Sequence, residues 1–151
     1  MQIVEIYMKK VIILGIVLLS ILIINGCTNS QGFLTYTGEE LEIDEYEIRK
    51  EEVYIDLNLL EEDRVNIDIF GAEYVMVKEK VEYNEDIDSY SWHGELEGES
   101  DSSIILVYDE DSMVGSVWNY LPGATFYYKI EGNEDIGFSI SEVDQSLYSE
   151  D

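Results

Sequence analysis

From residue 53 to residue 144 apolar side chains recur at every second position in short runs, separated by acidic or glycine-bearing breaks. In "EEVYIDLNLL" Val53, Ile55, Leu57 and Leu59 alternate with Tyr54, Asp56 and Asn58, and in "RVNIDIFG" Val65, Ile67 and Ile69 repeat the pattern. A period of two sends successive side chains to opposite faces of an extended strand, one buried and one wet. β-like runs also cover residues 72–83, 89–98, 102–109, 113–120, 124–132 and 136–144. The breaks at 61–63, 84–86, 98–102, 109–111, 121–123 and 132–135 are too short for a parallel crossover and demand antiparallel pairing. This pattern predicts a single mostly β domain, an antiparallel sandwich or a curved sheet. At most one or two short helices are expected, near residues 39–50 or 57–62. No self-similarity at the spacings of solenoids or propellers is visible.

Ahead of the alternating region lies a different kind of segment. Residues 11–24 are apolar apart from Gly15 and Ser20, which is shorter than the roughly 20 residues needed to cross a bilayer core. Lys9 and Lys10 before it, and small Gly26 after it, fit a secretory signal better, with Met8 as the true start. The chain's single cysteine follows at once, in Ile24-Asn25-Gly26-Cys27. This run resembles the lipobox of a bacterial or archaeal lipoprotein signal, although Asn25 stands where a small or hydroxyl residue is usual. The resemblance implies a lipid on Cys27 that anchors the mature chain to the membrane, and paired acyl chains would make that anchor stable. The competing reading is an uncleaved anchor helix with an incidental cysteine. Either one sets the remainder outside the cytoplasm. The expected organisation is a signal peptide with lipobox at 1–27, a polar tether at 28–37, an acidic β domain at 38–146 and a tail at 147–151. With one cysteine, no internal disulfide can staple that domain.

Charge narrows the partners. The chain has 34 Asp and Glu against 8 Lys and Arg. Without residues 1–27, which carry Glu5, Lys9 and Lys10, the balance is 33 against 6, or 27 negative charges net. Such a body repels phosphate backbones, so nucleic acid is excluded as a partner. It suits a saline exterior, where screening is strong and hydrated carboxylates keep a protein soluble. The 46% hydrophobic content and 12 tyrosines argue for a folded body under an acidic coat rather than for disorder.

Catalytic signatures are missing. His93 is the only histidine, and neither H-E-x-x-H, nor G-x-S-x-G, nor a glycine-rich phosphate loop occurs. No catalytic, cofactor or metal residue is therefore assigned, and the chain is not expected to be an enzyme. Paired carboxylates suited to glycoside hydrolysis could be drawn from so many acids, but counting selects none. The oxygen-rich turns "NEDID", "DEDS" and "NED" offer hard ligands for Ca2+, yet none has the EF-hand spacing, so only weak binding is expected.

One longer stretch carries more than composition. It holds Trp92, Gly94, Leu96 and Gly98, then Ser102, Ser103 and Leu106, then Gly115, then Tyr128 and Ile130, and finally Glu142, Val143 and Asp144. In that order these residues resemble the propeptide-like region that precedes the protease domain of secreted adamalysin/reprolysin-type zinc metalloproteases. The resemblance implies a non-catalytic β domain that binds a protein, as inhibitor or folding helper of a secreted metalloprotease. The sole cysteine is committed to the lipobox, so inhibition by a zinc-ligating cysteine is not carried over. The alternative is a structural or cation-binding lipoprotein of the cell envelope.

Overall fold

The structure, a computed structural model, describes residues 32–119 and 126–146. The signal segment with Cys27, the first part of the tether, the turn at 121–123 and the tail lie outside the described residues.

Among the described residues nine strands form one antiparallel sheet: β1 (Leu34–Glu40), β2 (Glu47–Ile55), β3 (Arg64–Ile69), β4 (Ala72–Asn84), β5 (Ser89–Leu96), β6 (Ser102–Tyr108), β7 (Ser112–Asn119), β8 (Phe126–Asn133) and β9 (Gly137–Asp144). Their order is β1-β2-β9-β8-β7-β6-β5-β4-β3. Short turns force β3 to β9 into a meander, and the β1–β2 hairpin then adds to the far side of β9. Because strands twist, so wide a sheet curls. Here it curls until its two edges meet: the Phe33 N–H donates to the Asn66 carbonyl of β3 at 2.8 Å. The curved-sheet form of the expected fold is the one observed.

Alternation decides what the curl encloses. Trp92, Leu106, Gly115, Ile130 and Ile140 stand in register across five neighbouring strands. All but the glycine are wholly buried. Trp92 folds back along its own strand, and only the bare Cα of Gly94 leaves it room: a Cβ there would meet the Val77 carbonyl oxygen at 2.3 Å and the indole at 2.4 Å. Opposite Gly94 the register of β4 slips between Lys78 and Lys80, a bulge that bends the strand.

Of the two places expected to hold a short helix, residues 39–50 and 57–62, only the second has a helical turn. Residues 39–50 form no helix; they complete β1, loop back and begin β2, and the Leu41 N–H bonds to the Lys50 carbonyl at 2.9 Å across the hairpin. The alternation through Leu57 and Leu59 does not prolong β2 either. The strand ends at Ile55, and Leu57–Glu61 make a 3-10 turn capped by Asp56, whose carboxylate accepts from the Asn58 N–H. That turn drops Leu60 into the core. The Lys78 ammonium holds its end by donating to the Glu61 carbonyl at 2.5 Å. Ordered structure also starts earlier than residue 38, since Phe33 is wholly buried and β1 begins at Leu34, inside the segment read as tether.

The opposite end is closed by an aromatic plug. Phe70 and Gly71 form the β3–β4 turn, both with positive φ, 51° and 88°. A phenylalanine in that region is strained. Three contacts hold it: the Phe70 N–H donates to the Tyr36 hydroxyl at 2.7 Å, Tyr36 and Tyr128 flank its ring, and the Arg49 guanidinium sits 3.8 Å above it. Burial pushes the Tyr36 phenol up to about 12.

Candidate protein-binding surface

Three hairpin turns, β4–β5, β6–β7 and β8–β9, emerge at the same end because the meander returns to that end after every second strand. The first and third share the sequence N-E-D-I, at residues 84–87 and 133–136. They also share a geometry. Asn84 Oδ1 accepts from the Asp86 N–H at 3.0 Å, and Asn133 Oδ1 accepts from the Asp135 N–H at 3.0 Å. Each turn then closes through a left-handed residue, Asp88 at φ 48° and Gly137 at φ 82°. In the middle turn Asp109 Oδ1 accepts from the N–H groups of Asp111 and Ser112 at 2.9 and 2.7 Å. The Asp111 amide and the Ser112 hydroxyl and amide hold the Asp109 carboxyl below the usual carboxylate range. The Glu134 N–H donates to the Asp111 carbonyl at 2.9 Å and ties the middle turn to the third.

These turns leave two isoleucines at their tips, Ile87 at 64% and Ile136 at 80% exposure. Beneath the first turn the β4–β5 hairpin runs beyond the core, so a row of tyrosines on the core-side face is left open. Tyr83 and Tyr90 lie ring to ring at 5.0 Å, and Tyr90 stacks on Tyr108 at 5.5 Å. Tyr83 and Tyr90 are 50% and 44% exposed, while Tyr108 packs against the core. The Tyr83 hydroxyl donates to Asp88 at 2.6 Å, which raises its pKa. A hollow of about 560 Å³ lies between the turns, walled by Ile87, Tyr90, Asp109, Glu110 and Asp135 among others.

Eight carboxylates decorate the three turns, Glu85, Asp86, Asp88, Asp109, Glu110, Asp111, Glu134 and Asp135, with no Lys or Arg among them. Among the described residues none of the eight enters an ion pair; the basic side chains serve other acids. Nor, among the described residues, do three acidic, histidine or cysteine groups converge closely enough to hold a metal ion. The turns read from sequence as Ca2+ candidates thus share one end without forming a coordination shell.

His93 lies on the outer face of β5, partly exposed, with Nε2 3.6 Å from Glu82. It is not among the residues that wall the hollow. Of the thirteen residues that carry the propeptide resemblance, six are buried: Trp92, Gly94, Leu96, Leu106, Ile130 and Val143. Gly94 and Gly115 clear space for Trp92 and Leu106. Gly98, at φ 83°, belongs to the β5–β6 turn instead. No family model, curated protein or solved structure matches the chain.

The second charged cluster is on the outer face of β2, β8 and β9. Glu47, its side chain only 3% exposed, meets Lys129 at 3.2 Å and Lys50 at 3.5 Å. Burial alone would raise its pKa, but the Asp44 N–H, the nearby Ser141 hydroxyl and the two lysines outweigh that and hold it below the ordinary value. The Ser141 hydroxyl, though near, makes no well-formed hydrogen bond. This network pins the β1–β2 hairpin onto β9 and β8, a structural task.

Sequence reading picked out the three acidic breaks as turns. Two of them are copies, and the repeated N-E-D-I at 84 and 133 is the sequence signal for it.

Proposed function

We propose that this chain is a lipid-anchored, extracytoplasmic, non-catalytic β domain that binds a protein. The first partner to test is a secreted zinc metalloprotease of the kind whose propeptide it resembles. The observation that supports protein binding is the turn end, where Ile87, Ile136, Tyr83 and Tyr90 face solvent together. Apolar groups gathered at one end of a domain and rimmed by polar residues are the usual mark of an interaction site. Membrane anchoring draws its support from the leader and Cys27, and the metalloprotease from the residues quoted for the resemblance.

Two measurements test the reading. Metabolic labelling with a fatty-acid analogue should mark the full chain, and Cys27→Ser should abolish the label and release the protein from the membrane. Titration of a secreted zinc metalloprotease with the purified full chain should inhibit it, or restore its refolding yield, at a stoichiometric ratio. An unlabelled, cytosolic protein would refute the anchored reading, and a protease unaffected at stoichiometric excess would refute that partner.

A second reading, a cation-binding envelope lipoprotein, is favoured by the eight turn carboxylates, which among the described residues enter no ion pair. Calorimetry with Ca2+ showing many weak sites, and no protein partner, would establish it instead.

A further inference from the structure

We infer that the turn end is built to receive a cationic amphipathic segment, one face apolar and the other rich in Lys or Arg, laid across the two N-E-D-I turns. This rests on the protein-binding reading and specifies the chemistry of the partner. Three features of the surface converge on that occupant. The apolar groups sit at the tips and in the hollow, as Ile87, Ile136 and Tyr90, so an apolar stripe on the partner has three places to land. Each isoleucine follows two acids, Glu85 and Asp86 in one turn, Glu134 and Asp135 in the other, so cations flanking the stripe find counter-charges at both ends. Tyr90 and Tyr83, each about half exposed, also offer aromatic surface, which favours a guanidinium or ammonium over an anion.

The spacing bounds the length. From the β4–β5 turn to the β8–β9 turn there are four inter-strand steps of about 4.8 Å, hence at most roughly 19 Å, and less with curl. A helix of about 12 residues spans that distance. A lipid surface fits less well, because pushing either isoleucine into acyl chains would drag its neighbouring carboxylates out of water.

The test uses the full chain in zwitterionic micelles and a fluorescein-labelled helical peptide of about 14 residues, with leucines on one face and lysines on the other. Anisotropy should show saturable one-to-one binding that weakens with salt. A peptide with the same residues scrambled out of register, and one with glutamate for lysine, should bind at least about tenfold more weakly, a difference of about 1.4 kcal/mol. Two exposed-site variants, Ile87→Ser/Ile136→Ser and Glu85→Gln/Asp86→Asn/Glu134→Gln/Asp135→Asn, should each lose about tenfold while near-UV circular dichroism stays native. Equal binding of the scrambled peptide with no effect of Ile87→Ser/Ile136→Ser would overturn the inference, since the acidic coat alone would then account for attraction. So would absence of peptide binding together with isoleucine-dependent binding to phosphatidylcholine or phosphatidylglycerol vesicles. If the isoleucine variant still inhibits a metalloprotease as well as the parent chain does, this docking site is refuted while the broader protein-binding reading stands; loss of both activities in the parent chain refutes both.

Discussion

Replacing Gly94 by alanine tests the core as the structure presents it. The added Cβ would stand 2.3 Å from the Val77 carbonyl oxygen and 2.4 and 2.5 Å from two carbons of the Trp92 indole. Ordinary contact is near 3.5 Å, so about 1 Å of movement is required on both sides. The carbonyl belongs to β4 beside its bulge and cannot swing away without loosening the β4–β5 ladder. The indole is wholly buried, so any shift must displace its packed neighbours. Overpacking of this kind costs about 1–3 kcal/mol, and outright loss of a buried tryptophan, about 3–5 kcal/mol, sets the ceiling. We expect about 3 kcal/mol, which lowers Tm by roughly 10 °C for a domain of this size. Thermal and urea unfolding of the full chain, followed by tryptophan fluorescence, measure it. Gly98→Ala is the control: φ there is 83° but nothing lies within 4 Å, so only left-handed strain of about 1 kcal/mol is added. A Gly94→Ala protein within about 0.5 kcal/mol of the parent, or less perturbed than Gly98→Ala, would refute the packing argument.

Three further outcomes follow from the charged and phenolic groups. Tyr36, pushed up to about 12 by burial, keeps its proton in the native state after the unfolded phenol has lost its own at 10; stability is full below 10 and is lost as pH rises from there to about 12. After allowance for its partial exposure this amounts to about 1–2 kcal/mol, which urea unfolding against pH should show and Tyr36→Phe should remove. At neutral pH Tyr36→Phe should itself cost about 1 kcal/mol, because the Phe70 N–H loses its acceptor. Glu47 shifts the opposite way: its depressed carboxyl adds stability above the usual carboxylate pKa that fades as pH falls through the native value, and Glu47→Gln should flatten that acid limb and cost about 1–3 kcal/mol at pH 7.

Strands with one wet face were legible from the alternation alone: residues 64–69 and 102–108 fold as their patterns require. The pattern misled where apolar residues served something other than a pleat. Leu57 and Leu59 keep the period of two, yet Asp56 can cap the next turn and Leu60 breaks the alternation toward the core, so the 3-10 turn wins. Phe33 carried no periodic signal, because a single buried residue at an edge has no run to belong to. The candidate surface was half legible. Acidic turns announce themselves by composition, whereas the tyrosine row depends on cross-strand register, Tyr83 opposite Tyr90 opposite Tyr108, which only pairing supplies. That Ile87 and Ile136 share one end follows from the meander order and not from either turn.

The placement of β2 against β9 dictates the order in which the chain can finish folding. Among themselves, the strands within residues 64–144 pair only with their neighbours in sequence and can zip up hairpin by hairpin, whereas Val53 of β2 meets Phe138 of β9 across most of the domain. Closing so long a loop is entropically the slowest pairing available, so the β1–β2 hairpin must wait without its β9 neighbour until the last strand has formed. Truncation before Gly137 would therefore orphan the amino-terminal hairpin as well, and a chain emerging through a narrow exit completes its sheet only after its final strand is clear.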